Sequence, residues 1–390
     1  MPRVLTALGV LALVLAVAGY VAGWQLGWIE LIVLASACGL ALLAATPFVI
    51  GRMRIDVARS LSAPRVRVGD PAQAIIDVHN PRQSALRPRA IEDRFADGTA
   101  PAQHRQLRVP RLAGGATHRV EYPLPTRQRG RYEVGPAVFS RSDPLHLMRR
   151  EVRHTGTDVL WVHPRYDAVP ALPVGFAKDL EGPTTDTSPI GDVAFHSLRE
   201  YQPGDDYRHI HWMSTARSFD ATPLVRHYVD NRRPHLGVVL DTRASTLQPA
   251  EFEVAVEVTA SMAVSALIQR EPATVWTPTG PTFGRSAPGT RDDLLDRLAL
   301  VAQSSAPADL TATALAMLRA DRGVSAVTLV TGATPSVELL GFVSRLRRKA
   351  RVIVVRVWPP GEVLAEALPG ARLIDVDSRA AFVHAWGALT

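Results

Sequence analysis

The 390 residues carry 47% hydrophobic and 21% charged side chains with 30 prolines and 27 glycines, which excludes a disordered, collagen-like or coiled-coil chain and leaves room for two or three folded domains. The one cysteine, Cys38, lies in an apolar run, so an intrachain disulfide, a cysteine-ligated zinc site and Cys-x-x-Cys redox chemistry are all excluded. Charge is polarised: residues 51–165 hold 21 arginines against 11 acids, whereas 166–390 hold 22 basic residues against 25 acids, so any partner drawn by positive charge meets the first of these segments.

Residues 1–52 read as a membrane hairpin. Between Arg3 and Arg52 the only charged side chain is Glu30, and it is flanked by two apolar stretches at about 4–23 and 31–50. Each is about 30 Å long as a helix, the thickness of a bilayer core. Trp24 and Trp28 in the intervening tip suit an interfacial belt. Arg52, Arg54, Arg59, Arg65 and Arg67 crowd the exit of the second span, while the tip has no basic residue, so the positive-inside rule predicts a multi-pass protein of the cell membrane with its remaining chain in the cytoplasm. Ala16-Val17-Ala18 resembles a signal-peptidase site, and cleavage there would leave that orientation unchanged. The basic segment that follows suits an anionic lipid surface. Nucleic acid is not expected, because no stacking motif or basic helix accompanies the charge.

Residues 53–164 are predicted to be all β, from short alternating or β-branched runs at 73–78, 105–109, 118–122, 132–139 and 158–162 separated by turn residues. About a hundred residues of this pattern suggest a β-sandwich of immunoglobulin-like architecture. Residues 165–233 begin as a proline-punctuated run, expected as an extended surface linker. From 234 to 390 apolar strands at 235–240, 326–330 and 352–357 alternate with helical segments at 250–269, 291–303, 310–319 and 336–348, which predicts a doubly wound α/β domain. Its functional crevice is expected beyond the carboxyl ends of the strands, beginning at Asp241.

Residues 191–233 bring Arg199, Glu200, Asp205, Asp206, Arg208 and Arg217 close to Tyr201, Ile210 and Trp212, with a turn at 203–206. Guanidinium forks held by carboxylates beneath aromatic rings are the expected result. The segment resembles the bacterial family called domain of unknown function fifty-eight on Leu198-Arg199-Glu200-Tyr201, Gly204-Asp205-Asp206, Arg208, Ile210-His211-Trp212 and Ala216-Arg217, with Arg129 to Tyr132, Gly135-Pro136 and Asp143-Pro144 fitting upstream. The resemblance implies that the C-terminal region is similar to a von Willebrand factor A domain. It also implies association with a MoxR-type AAA+ ATPase, often encoded alongside, and it brings no established reaction.

A magnesium-binding A domain uses Asp-x-Ser-x-Ser after its first strand, with a threonine and an aspartate from later loops. Asp241 and Ser245 match the ends of that motif, but Arg243 replaces the middle serine. Thr311 or Thr313 could supply the distant hydroxyl, and the later loop at Thr331-Gly332 has no acid. A guanidinium about 5 Å from a divalent ion repels it by about 7 kcal/mol at an effective dielectric of 20, so no metal or cofactor is expected, with Arg243 pairing Asp241 instead. His209 and His211, at alternate positions of an expected strand, are read as structural. There is no Gly-x-Ser-x-Gly elbow and no Gly-x-x-x-x-Gly-Lys loop, which excludes an α/β-hydrolase nucleophile and a P-loop ATPase. Two readings remain: a membrane-anchored scaffold whose interaction rim is Asp241, Arg243, Ser245, Thr311 and Thr331, or an enzyme using Glu200, Asp205 and His211.

Overall fold

The computed structural model describes residues 5–49, 55–86, 89–96, 102–153, 155–170, 172, 193–202, 205, 207, 210–217, 222–230, 235–334, 336–362 and 368–388. The chain divides into two compact units, Met1–His163 and Pro164–Thr390.

The first unit opens with helices α1 (Ala7–Leu26) and α2 (Ile29–Val49), which pack on each other and are each long and apolar enough to cross a membrane. Thr6 caps α1 by accepting the Gly9 N–H at 3.1 Å. The tip is shorter than the sequence suggests: α1 continues through Trp24, Gln25 and Leu26. Gly27 then ends it in the left-handed region (φ 70°), donating its N–H to the Gly23 carbonyl.

Among the described residues nine strands follow: β1 (Asp56–Leu61), β2 (Arg65–Arg67), β3 (Ala72–His79), β4 (Arg89–Ala96), β5 (Gln103–Val109), β6 (Thr117–Leu124), β7 (Gly130–Ser142), β8 (Arg149–Arg153) and β9 (Asp158–His163). They form a three-stranded sheet in the order β1-β3-β6 and a second sheet in the order β2-β9-β7-β4-β5, with β8 added to β7. Alternation turns Ala74, Ile76 and Val78 of β3 inward, and they join Ile91, Phe139, Leu160 and Val162 of the other sheet in one core. Between the sheets, Tyr122 donates to the Asp93 carboxylate at 2.7 Å and Arg59 binds the same group at 3.2 Å. Burial, followed by the Asp93 bond, pushes the Tyr122 phenol far above its usual range.

In the second unit, residues expected as surface linker are partly core. Val169 and Leu172 are buried beneath helix α4 (Pro249–Ile268) and helix α8 (Arg379–Gly387). The Asp167 and Val169 N–H groups donate to the Ser261 and Ser265 hydroxyls, and Trp386 donates to the Pro170 carbonyl. Prolines favour an extended chain, but the intervening apolar side chains gain more from burial than from solvent. Strand β10 (Val193–Glu200) then pairs antiparallel with β11 (Leu224–Asp230), and the short helix α3 (Trp212–Thr215) lies between them in sequence.

The remaining elements are β12 (Leu236–Leu240), β13 (Ala273–Thr277), β14 (Gly280–Phe283), α5 (Arg291–Leu300), α6 (Leu310–Ala320), β15 (Ala326–Thr331), α7 (Ser336–Leu346), β16 (Arg351–Val357) and β17 (Arg372–Val376). They build a six-stranded sheet in the order β14-β13-β12-β15-β16-β17, parallel except for edge strand β14. Helices α4, α5 and α8 cover one face and α6 and α7 the other. Strand order reverses between β12 and β15, so the crevice at their carboxyl ends is the topological switch point.

Candidate functional site

Strand β12 delivers Asp241 to that switch point, where its N–H donates to the Val330 carbonyl and its side chain is fully buried. The carboxylate is saturated. The Arg243 guanidinium donates from Nε at 3.0 Å to Oδ1 and from Nη2 at 2.9 Å to Oδ2, and the Arg243 backbone N–H adds a bond at 2.9 Å. The Thr246 and Thr331 hydroxyls donate to Oδ2 at 2.8 and 2.7 Å. Thr334 lies 2.6 Å from the Thr331 hydroxyl, and the Ala333 N–H donates to the Thr246 carbonyl, so the loops after β12 and β15 are joined.

Arg243 also reaches outward, donating from Nη1 to Glu338 of α7 at 2.9 Å. Burial works against its charge, but the Asp241 and Glu338 carboxylates outweigh that and raise its pKa above the ordinary arginine value. The group is therefore an internal ion pair with one half-buried carboxylate end.

The residues do not fit the magnesium ion that a complete A-domain motif would hold. An octahedral cation needs free oxygen ligands, and both Asp241 oxygens already accept from a guanidinium and two hydroxyls. Ser245, at the motif's last position, is exposed and outside the group, while the neighbouring Thr246 takes its place. Thr311 is buried in the first turn of α6 and does not enter the hydrogen-bonded set. Thr246, Thr334 and Glu338 were missed by sequence reasoning. Thr246 falls one residue off the motif, and Glu338 is brought in only by the placement of α7. Beside this group, Thr242, Thr277, Thr282, Gln303 and Ser304 line an open groove of about 520 Å³. On α7, Val337 is 82% exposed and Leu340 is 42% exposed.

The signature segment is arranged differently from a closed, buried network. Arg199 forks onto Asp205 with bonds of 2.8 and 2.6 Å, and Asp205 also accepts the Gln202 N–H at 2.9 Å, yet the Arg199 side chain is 40% exposed. The Arg199 bonds, ahead of the Gln202 bond, hold the Asp205 carboxyl below the usual carboxylate range. Tyr201 stacks on Tyr207 with ring centroids 5.6 Å apart. Trp212 and Arg217 are exposed, so the tryptophan does not shield the pair from water.

His211 is not on a strand. It caps α3, its Nδ1 accepting the Ser214 N–H at 3.2 Å and lying 2.7 Å from the Ser214 hydroxyl. Glu200 is exposed. Asp205 and His211 thus keep separate partners. Gly204, Asp206, Arg208 and His209 lie outside the described residues.

At the opposite, amino-terminal ends of the central strands, His235 is buried with its Nε2 2.9 Å from the Thr274 hydroxyl, which donates to Asp321 at 3.1 Å. Burial lowers the His235 pKa, with Asp321 opposing and Arg285 reinforcing the shift.

Residues 197–380 match the family model described as protein of unknown function DUF58. No curated protein matches the chain. Among solved structures, a β-glucosidase from Erythrobacter marinus is 13% identical over 27% of this chain, which spans 15% of the glucosidase, with a TM-score of 0.20. The alkylpurine DNA glycosylase AlkC of Pseudomonas fluorescens is 10% identical over 34% of this chain and 39% of its own, with a TM-score of 0.23. The C-terminal domain of Wzt is 12% identical over 30% of this chain and 78% of its own, with a TM-score of 0.22. Likenesses this slight support no statement about fold or function.

Proposed function

We propose, for a chain whose residues 197–380 match the DUF58 family, a membrane-anchored adaptor whose second unit works as a von Willebrand factor A-like interaction domain on the cytoplasmic side. The observation that carries this reading is the saturated Asp241 carboxylate at the switch point. A crevice whose buried Asp241 is occupied by Arg243, Thr246 and Thr331 has no free carboxylate there among the described residues, but its rim offers what a protein contact uses. That rim has a half-buried carboxylate at Glu338, hydroxyls at Ser245 and in the threonine groove, and the exposed apolar side chains of α7. The partner proposed is a MoxR-type AAA+ ATPase, and the arginine asymmetry around the hairpin supports a cytoplasmic placement where such a ring could reach it.

The test is co-purification of that ATPase with the full chain in detergent. Asp241 is a poor probe because its replacement would disrupt a buried group, so the rim is changed at exposed positions, Val337→Arg with Ser245→Arg. Recovery of the ATPase should fall while thermal stability is kept. Equal recovery with wild type and with a chain ending at Arg233 would sink the reading.

A further inference from the structure

The loop between β7 and β8 is tied to the base of the helical hairpin. Leu147 is buried in a cluster with Leu42 and Ala45 of α2, ringed by Leu5, Ala12, Ala41 and Met148. Thr6, which caps α1, donates its hydroxyl to the His146 carbonyl at 2.6 Å, and its N–H donates to the Leu147 carbonyl at 3.1 Å. Leu5 and Met148 form an antiparallel bridge. Gly9 permits this approach, since a Cβ there would collide with the Leu147 carbonyl oxygen. Arg150 donates to the Val49 carbonyl at the end of α2, at 3.4 Å.

The loop holds its own shape. Asp143 is buried, and its carboxylate accepts the Leu145 N–H at 2.9 Å and the Met148 N–H at 2.6 Å. The result points Leu145 outward, 61% exposed, next to the helix bases.

Depth follows from helix length. Twenty residues of α1 span about 30 Å, the full hydrocarbon thickness, so the helix has no slack with which to lift its base clear of the bilayer. Leu42 is seven residues from the end of α2, about 10 Å along its axis. A loop that shares a cluster with Leu42 and Ala12 therefore sits at or inside the hydrocarbon edge. Leu145 is as exposed as Leu8 and Leu11 of α1, which are 57% and 54% exposed.

We propose that the Leu145–Met148 loop is a third membrane contact, with Leu145 inserted among the glycerol and upper acyl groups of phospholipid beside the hairpin base. The proposal rests on the reading of α1 and α2 as membrane spans. It goes beyond that reading because it fixes the β unit to the bilayer surface through a folded loop instead of leaving it on a tether.

The experiment uses the full chain in phospholipid nanodiscs and a membrane-impermeant maleimide. The native chain reports on mid-span Cys38; Cys38→Ser with Leu145→Cys reports on the loop; and Cys38→Ser with Ser84→Cys reports on an exposed water-side position. Leu145 gives only its backbone N–H to the loop, so its replacement spares the fold. Position 145 should label several-fold more slowly than position 84, and a fluorophore placed there should be quenched by lipids brominated near the headgroup. Labelling at 145 as fast as at 84 with Cys38 still protected would overturn the proposal and leave the spans standing. Fast labelling at both 145 and 38 would remove the spans and the proposal together. Slow labelling without quenching by brominated lipid would assign the protection to protein and also overturn it.

Discussion

Each unit buries an arginine against an aspartate, and the two pairs differ in where the arginine's remaining donors go. In the first unit the Arg59 side chain is 1% exposed, and it divides its donors among buried Asp93, Asp158, which is 46% exposed, and the Gly156 carbonyl, while Tyr122 completes Asp93. Its described partners all lie in the β unit, and Asp93 is sealed between the sheets. In the second unit Arg243 gives one side to Asp241 and the other to Glu338, which is 37% exposed on the rim. The first pair holds two sheets together. The second joins the loop after β12 to α7 at the crevice mouth, so a partner that engages Glu338 acts directly on the arginine that fills the switch point.

The largest expected effect separates these pairs. Arg59→Ala leaves Asp93 buried with the Tyr122 hydroxyl and the Arg94 N–H as its donors among the described residues, and removal of one member of a buried pair costs about 3 to 5 kcal/mol. Arg243→Ala removes the guanidinium but leaves Asp241 the Thr246 and Thr331 hydroxyls and the backbone N–H at position 243, so the loss should be nearer the cost of one charged hydrogen bond, about 1.5 to 3 kcal/mol. Amide hydrogen exchange in β3 and β4 for the first variant, and in β12 and β15 for the second, measures each cost separately. An equal or larger loss for Arg243→Ala would erase the proposed distinction between a sealed pair and a rim pair.

What was legible in the sequence follows the same division. Helical hairpin, β-rich segment and strand–helix alternation were all visible, because each is written in local hydrophobic pattern. Asp241 and its pairing with Arg243 could be read too, since both lie in one five-residue stretch after a buried strand. Contacts assembled over long sequence distances could not. Arg59 meets Asp93 and Asp158 across 34 and 99 residues, and Glu338 meets Arg243 across 95. Strand β8, Arg149–Arg153, has almost no apolar signal and is set by pairing with β7. Val169 and Leu172 were hidden by the prolines around them. His211 was expected on a strand and caps α3 instead, because the serine three residues later offers its imidazole a local partner that a strand would not.

A smaller effect is expected at the amino-terminal ends of the central strands. His235 is buried and neutral in the folded chain, with its pKa below that of an unfolded histidine. A depressed folded pKa means that the unfolded chain takes up the proton first as pH falls. The stabilisation is therefore complete above the ordinary histidine pKa of about 6.5 and declines as pH drops below it, by at most about 1.4 kcal/mol per pH unit for one proton. Stability of the second unit should fall between neutral pH and about pH 5 in wild type. His235→Gln should flatten that slope while keeping a hydrogen-bonding group toward Thr274. An unchanged slope would assign the acid sensitivity to other groups.

The smallest effect on stability is expected at the Arg199–Asp205 fork, despite its short bonds. Both side chains touch water, and an exposed ion pair loses in side-chain entropy and screening most of what it gains by attraction. Arg199→Ala should leave hydrogen exchange in β10 and β11 unresolved from wild type, because the strands are held by their own backbone ladder and by the Tyr201 N–H bond to the Pro223 carbonyl. The same change should raise the Asp205 pKa toward the ordinary carboxylate range, since the Arg199 guanidinium does most to hold that carboxyl ionised. A large loss of protection would show that the fork is structural after all. Intact protection together with loss of ATPase recovery would move part of the partner surface from the Asp241 rim to this fork, where exposed Tyr207, Trp212 and Met213 already present the aromatic and flexible apolar groups that protein contacts favour.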